Sequence, residues 1–286
     1  MTEIVGVIGG SGLYEMQGLQ DVQKVKVDTP FGPPSDELVT GTLHGVKMVF
    51  LPRHGVGHRL MPTEIPFQAN IWALKKLGVT RILSVSAVGS MREDIHPGDM
   101  VLVTQFLDRT RTRKSTYFGE GVVGHVSFGD PVCGPLHGAA VEAAKAAGAR
   151  YHPRGTYVCM EGPQFSTKAE SHVHRRDGAD VIGMTNVPEA KLAREAEICY
   201  ATIALATDYD CWHESEEAVS VEAVLAVLKA NVAMAQKIIA EAVKRLPGSR
   251  ECACATAGKF AVLTDPKVIP AHRKEQLALF YGKYWN

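Results

Sequence analysis

Short apolar runs alternate along this chain with stretches of helical spacing. Val5–Ile8 enters Gly9-Gly10-Ser11-Gly12, Val46–Leu51 enters Pro52-Arg53-His54-Gly55, and Arg81–Val88 enters Gly89-Ser90. Each reads as a buried strand that ends in a turn. Between them, Pro62–Leu77 carries Phe67, Ile71, Leu74 and Leu77 at helical spacing, with Gly78 as its stop signal. Met100–Phe106 predicts another strand and Ala139–Ala149 an Ala-rich helix. Thr156–Met160, Asp180–Gly183 and Ala201–Ala206 predict further strands, with helices around Thr167–Arg176 and Pro188–Ala196. A last long helix is predicted from Val221 to about Arg245, with Ser220 as N-cap and Pro247-Gly248 beyond its end. Asp108–Gly129 has no periodicity and predicts a long loop, and a loop of that length in a compact domain is more often functional than idle. The alternation predicts an α/β fold, and the lack of repeats or Pro/Ser-rich linkers predicts a single domain over residues 1–286.

Composition narrows the setting. With 286 residues, 45% hydrophobic and 22% charged, the chain can build a substantial core. Lys+Arg and Asp+Glu number 31 each, so no overall field draws it to nucleic acid or an acidic membrane. Met1-Thr-Glu-Ile leads straight into a strand pattern, and no run reaches the roughly 18–20 apolar residues of a membrane span. The cytoplasm is therefore the expected compartment. Cys133, Cys159, Cys199 and Cys211 sit among apolar segments, where buried free thiols are the default. Cys252-Ala-Cys254 leaves three readings open: half of a metal site, a strained local disulfide, or two ordinary loop thiols. No second Cys pair or His pair stands at zinc-finger spacing, so no metal ligand set is assigned.

Candidate chemistry gathers at the strand ends, where α/β proteins bind their ligands. Asp208 and Asp210 follow the apolar run Ala201–Thr207, and carboxyl groups held there can handle a proton on a bound small molecule. The alternative is two acids opening a solvated loop. The Gly9–Gly12 turn could cradle an anion with backbone N–H groups and the Ser11 hydroxyl. It is not a dinucleotide fingerprint, and the next strand ends in Arg53-His54, fixed positive charge and donors that suit phosphate. A structural ion pair is the competing role for Arg53. Ser86-Ala87 and Met184-Thr185 end two more strands with hydroxyls and amides, so a phosphate pocket follows if these strands are neighbours. Phe165 could stack on a planar base and Ser166 could bond its edge, although Phe165 taken alone reads as a core residue first.

These segments together resemble a known family. Val7-Ile-Gly-Gly-Ser-Gly-Leu13, Pro52-Arg-His-Gly55, Asn70-Ile-Trp-Ala-Leu74, Glu161-Gly-Pro-Gln-Phe-Ser166, Met184-Thr-Asn-Val-Pro-Glu189 and Ala206-Thr-Asp-Tyr-Asp-Cys-Trp212 carry the likeness. They are similar, in order, to 5′-methylthioadenosine phosphorylases of the trimeric purine nucleoside phosphorylase family, from about Val5 to about Lys244. The resemblance implies a central twisted mixed β-sheet flanked by helices. It implies phosphate binding at Ser11, Arg53, His54, Ser86, Ala87 and Thr185, and base and ribose binding at Phe165, Ser166, Met184, Asp208 and Asp210. Asp208 is the implied catalytic residue, and with Ser166 it points to a 6-amino purine. Val221, Val224 and Leu225 match positions facing the 5′ substituent, and their spacing puts them on one helix face. His125 matches a residue that reaches a neighbouring subunit's 5′ pocket, which implies a homo-oligomer, a trimer or a hexamer. Ser at positions 11 and 86, where relatives also show Thr, keeps the hydroxyl. The tail from about Pro247 to residue 286 reads as a divergent C-terminal extension.

The implied reaction is reversible phosphorolysis of 5′-methylthioadenosine to adenine and 5-methylthioribose 1-phosphate, with phosphate as co-substrate and no metal or organic cofactor. The rivals are a phosphorylase for 6-oxo nucleosides or adenosine, a nucleosidase that uses water, and a non-catalytic nucleotide binder. Asp208 argues against 6-oxo substrates, and the Arg53-His54 anion site against water.

Overall fold

The computed structural model describes residues 3–213 and 221–285; the side chains of Ser11 and of residues 221–226 lie outside that description. Among the described residues eleven strands share one sheet: β1 (Ile4–Gly9), β2 (Gln20–Val25), β3 (Leu38–Leu43), β4 (Val46–Pro52), β5 (Arg81–Ser90), β6 (Met100–Val103), β7 (Gln105–Asp108), β8 (Tyr151–His152), β9 (Thr156–Cys159), β10 (Val181–Gly183) and β11 (Cys199–Asp208). The helices are α1 (Phe67–Lys76), α2 (Gly134–Ala146), α3 (Lys168–Arg176), α4 (Asn186–Glu195), α5 (Val221–Arg245) and α6 (Ala271–Tyr281).

The two long central strands, β5 and β11, run parallel and are almost wholly buried. Strands covered on both faces need apolar residues on both, and their sequences read as continuous runs for that reason. Side chains still alternate between two cores. Val5, Val7, Leu83, Val85, Ala201 and Ile203 meet α2 and α5 on one face, whereas Ile8, Ile82, Ile198 and Tyr200 meet α1, α4 and α6 on the other. The expected mixed sheet with helices on both sides is what the chain forms. Parallel pairs β1–β4, β1–β5 and β5–β11 stand beside antiparallel pairs β5–β10 and β6–β11.

Several boundaries move. The helix expected from Pro62 begins at Phe67, because residues 61–64 close a turn through Glu64 N–H to the Met61 carbonyl (2.9 Å). The Ala-rich helix starts earlier than expected, at Gly134, where Pro135 suits the first turn, and Gly148 follows its end with φ 69°. The run Met100–Phe106 is two strands. It breaks at Thr104: β6 before the break pairs with β11, and β7 after it pairs with β9. The helix around Thr167 begins with a complete capping box, Thr167 with Glu170. The expected N-cap Ser220 lies outside the described residues.

The tail after Pro247 packs into the main fold. Leu277, Phe280 and Tyr281 of α6 are buried in the core shared with α1 and α4. The Tyr281 hydroxyl donates to the Glu195 carbonyl (2.8 Å). The Glu195 carboxyl accepts from Thr116 Oγ1 (2.7 Å) and the Tyr117 N–H (2.6 Å), which anchors the long loop to the same point. Glu195 therefore joins loop, helix and tail.

Burial pushes the Glu195 pKa up from 4.5 to about 7, against those hydrogen bonds. A carboxyl with a raised folded-state pKa contributes stability that is full below about pH 4.5 and lost as pH climbs through about 7. That loss is on the order of 3 kcal/mol by proton linkage. Glu195→Gln keeps the shape, accepts from Tyr117, donates to Thr116 and removes the charge. Thermal melts should show the variant more stable than the parent at about pH 8 and matched to it near pH 4.5. A difference independent of pH would contradict the burial argument.

Candidate active site

One strand opens the sheet. On one edge β5 pairs with β1 as far as Ser84 and with β10 only from Gly89, leaving residues 85–88 without a neighbour on that side. Ala87 is exposed there between buried Ser86 and Val88. The strands that end around this gap are β1, β4, β10 and β11, so the strand ends expected to converge are in fact neighbours.

Among the residues expected to bind phosphate, Ser86 Oγ lies 3.4 Å from Thr185 Oγ1 and 3.4 Å from the Tyr157 hydroxyl. Thr185 is the N-cap of α4, so backbone N–H groups of the first turn add positive potential. Arg53 is 3% exposed and is held from all sides. Its Nε donates to Glu189 Oε1, one terminal nitrogen donates to the Val85 carbonyl (2.8 Å), and the other donates to Ser84 Oγ (2.7 Å) and Glu189 Oε2 (3.1 Å). Burial alone would lower its pKa, but the Glu189 charge keeps it raised. Four of the five guanidinium N–H groups are thus engaged within the protein.

The expectation of fixed positive charge from Arg53-His54 needs correction. Glu189 neutralises Arg53 at contact distance, which is the structural ion pair weighed as its other role. His54 is held neutral, because burial pulls its pKa down to about 4 with Arg53 and His58 adding to the shift. Its Nδ1 lies 2.8 Å from the Leu60 carbonyl, an acceptor, so Nδ1 carries the proton and Nε2 is left as an acceptor. The donors gathered at these strand ends are therefore hydroxyls, backbone amides and the one Arg53 N–H left uncommitted among the described residues.

Asp208 ends β11 at a register shift between Ala206 and Asp208. Its carboxylate accepts from Thr207 Oγ1 (2.6 Å) and the Asp210 N–H (3.0 Å). Room for it comes from Gly89 across the strand pair, where an added Cβ would stand 2.9 Å from Asp208 Oδ1. Asp210 is turned inward. Its Oδ2 accepts from Ser171 Oγ (2.6 Å) at the buried face of α3, and burial raises its pKa. The two acids expected as a pair are therefore placed differently, Asp208 half-buried at the cleft and Asp210 buried behind it.

Phe165 is 64% exposed, so it is not the core residue it could have been. Ser166 next to it is buried, its carbonyl accepting from the Cys211 thiol (3.1 Å). Met184 sits under the same segment, where Gly162 has φ 66° and an added Cβ would lie 2.5 Å from the Met184 sulfur. Arg113, from the long loop, donates to the carbonyls of Met184 and Glu161 and fixes both. His125 is exposed on that loop, its N–H bonded to the Ala261 carbonyl (2.9 Å). It is held by the tail. The side chains of Ser11, Val221, Val224 and Leu225 lie outside the described residues.

Sequence reasoning assigned no role to Glu189, Tyr157, Asn186 or Arg113. Glu189 and Asn186 stand inside the Met184–Glu189 motif, and the available signal was a carboxylate in the first turn of a helix, a candidate partner for the ion pair weighed for Arg53. Nothing local marks Tyr157, whose hydroxyl reaches Ser86 across two strands.

A family model described as the phosphorylase superfamily matches residues 4–244. The S-methyl-5′-thioadenosine phosphorylase of Geobacter sulfurreducens is 63% identical over 285 residues, 99% of this chain and 100% of that protein. Its counterpart in Koribacter versatilis is 57% identical, covering 99% of this chain and 97% of that one. Among solved structures, a methylthioadenosine phosphorylase from an antarctic soil metagenomic library superposes with a TM-score of 0.93 at 49% identity, over 98% of this chain and 99% of that one. The Schistosoma mansoni methylthioadenosine phosphorylase in complex with adenine gives 0.84 at 39% identity, over 90% and 96%. By sequence and by fold, this chain belongs to the S-methyl-5′-thioadenosine phosphorylase family, within the phosphorylase superfamily.

Proposed function

We propose that the cleft catalyses reversible phosphorolysis of 5′-methylthioadenosine to adenine and 5-methylthioribose 1-phosphate. The observation that carries this reading is the placement of Asp208 beside a hydroxyl-and-amide cradle, at neighbouring strand ends, with exposed Phe165 close in sequence to buried Ser166. The bond from ribose C1′ to the purine breaks with its electron pair passing to the base, and phosphate oxygen bonds to C1′. Positive charge develops on the ribose and basicity at purine N7. Asp208 donates or shares the proton at N7, and Ser86, Ala87, Thr185, Ser11 and Arg53 hold the phosphate. His54 Nε2, an acceptor, suits the remaining O–H of a hydrogen phosphate. The proton lost by phosphate balances the proton gained by adenine, and the scheme calls for neither metal nor organic cofactor.

Phe165 and Ser166 take the base, Met184 lines the nucleoside site, Asp210 supports Asp208 from behind through its N–H, and Val221, Val224 and Leu225 receive the methylthio group. His125 serves a neighbouring protomer, so the active form is a homotrimer or a hexamer; its exposure on a loop pinned to the tail supports this reading. Cytoplasmic location is part of the proposal, and no described helix is long and apolar enough to cross a membrane.

Adenine or hypoxanthine release from methylthioadenosine, adenosine and inosine, each with and without phosphate, tests the substrate. Turnover should depend on phosphate and be greatest with methylthioadenosine. Adenosine should be roughly 10–200-fold poorer, the worth of a mismatched group in an apolar pocket. A preference for inosine, or activity without phosphate, would overturn the reading. Asp208→Ala should lower kcat by about 10²–10³, or roughly 2.7–4 kcal/mol, as loss of one preorganised donor does. A rise in KM at unchanged kcat would remove the proton role from Asp208.

A further inference from the structure

Four cysteines that are remote in sequence meet at one point. The Sγ atoms of Cys133, Cys199, Cys252 and Cys254 all lie within 4.8 Å of one another, with Cys199 and Cys252 at 3.3 Å. Cys133 precedes α2, Cys199 begins β11, and Cys252 and Cys254 flank and enter a short 3-10 turn in the tail. The Cys133 N–H donates to the Tyr200 carbonyl (2.9 Å), which locks the first two positions together. Three of the four are buried in the core between the sheet, α2 and α5, and Cys252 packs against its edge. The cluster lies at the opposite end of β11 from Asp208, some ten strand residues and about 30 Å away.

We propose that these four thiols form a closed, structural binding site for a soft divalent cation, zinc by the chemistry of its donors. A tetrahedral zinc with four Zn–S bonds of about 2.3 Å sets its sulfurs about 3.8 Å apart, so side-chain shifts of about 1 Å would seat the ion. All four positions are filled by protein, which is the pattern of a structural rather than a catalytic site. Binding takes the proton from each thiol to solvent and involves no change of oxidation state. The resulting excess negative charge has counterparts at the turn into β11. Lys75 Nζ donates to the Ala196 carbonyl (2.6 Å) and an Arg250 nitrogen to the Glu197 carbonyl (3.0 Å). Cys133 adds the N-terminal end of α2, where a thiolate is favoured. The ion would fasten the tail, through Cys252 and Cys254, to the first residue of the central strand. The earlier assignment of no metal ligands rested on sequence spacing, and the second pair of sulfurs comes from Cys133 and Cys199.

The test uses the full-length protein purified with zinc and without added chelator. Elemental analysis should give one zinc per chain, and the four thiols should react with a thiol reagent only after a strong chelator is added. Cobalt exchanged into the same protein should show the charge-transfer and ligand-field bands of a tetrahedral thiolate site. Chelation should lower Tm while leaving kcat at moderate temperature within about twofold of the untreated enzyme. Cys252→Ser, the least buried of the four, should lose at least tenfold in metal affinity in a folded chain, and Cys159→Ser should lose none. A reduced protein that takes up neither zinc nor cobalt would overturn the proposal. So would an intact mass short of the hydrogens lost in forming disulfides among these four residues.

Discussion

A full positive charge in the interior, on Arg53, constrains much of what surrounds it. Leaving one member of such a buried pair without its partner costs about 3–5 kcal/mol, so Glu189 and its supports must be held in place. Ser84 and the Tyr200 hydroxyl each bond Glu189 Oε2 at 3.0 Å, and Asn186 ties Tyr200 (3.1 Å) to Thr202 (2.8 Å). The network therefore takes its members from the residue just after β4 and from β5, α4 and β11. Satisfying one guanidinium fixes how four elements stand relative to one another, and these are the elements whose ends make the cleft. A network of this kind rewards a single arrangement, because a half-satisfied version is worse than an apolar core.

The same geometry decides the character of the anion site. A cradle with a neutralised Arg53, a neutral His54 and the N-terminus of α4 offers directional donors more than bulk charge. In the proposed reaction such a cradle would grip phosphate through hydrogen bonds of defined direction, as an attacking group near a developing ribosyl cation requires. On the far side of the gap in β5, Gly89 makes room for Asp208, and Ser171 draws Asp210 inward. Two carboxyl groups two residues apart thus receive different environments.

The proposed catalytic carboxyl and the anchorage of the tail occupy opposite ends of β11. Asp208 stands at its carboxyl end and Cys199 at its start, where the tail returns to the sheet. Glu195 and Glu197, on either side of the turn between α4 and β11, hold that tail as well. The first has the Tyr281 hydroxyl on its carbonyl, and the second accepts from Tyr284 (2.7 Å) and the Gly258 N–H (3.0 Å) and pairs with Lys283. The long loop is caught in the same place through Thr116 and Tyr117. Whatever loosens the tail thus also loosens the loop that carries Arg113 to Met184.

The sequence by itself determined the α/β class, both long central strands, the long helix α5 and most strand ends with candidate chemistry. Continuous apolar runs and Gly-Pro punctuation are local signals, and they survive without knowledge of neighbours. It did not reveal β2, whose Gln20–Val25 run is polar and lies at the sheet edge, or α6, whose mixed sequence becomes apolar only toward Leu277–Tyr281. Nor did it tell which way a side chain would turn. Arg53 toward Glu189, Asp210 toward Ser171, Tyr157 toward Ser86 and Cys199 toward Cys252 are pairings across 136, 39, 71 and 53 residues of chain. Only the tertiary structure decided these, because the burial that sets a charge, a tautomer or a thiol cluster belongs to the packed neighbours, and no short stretch of chain encodes who they are.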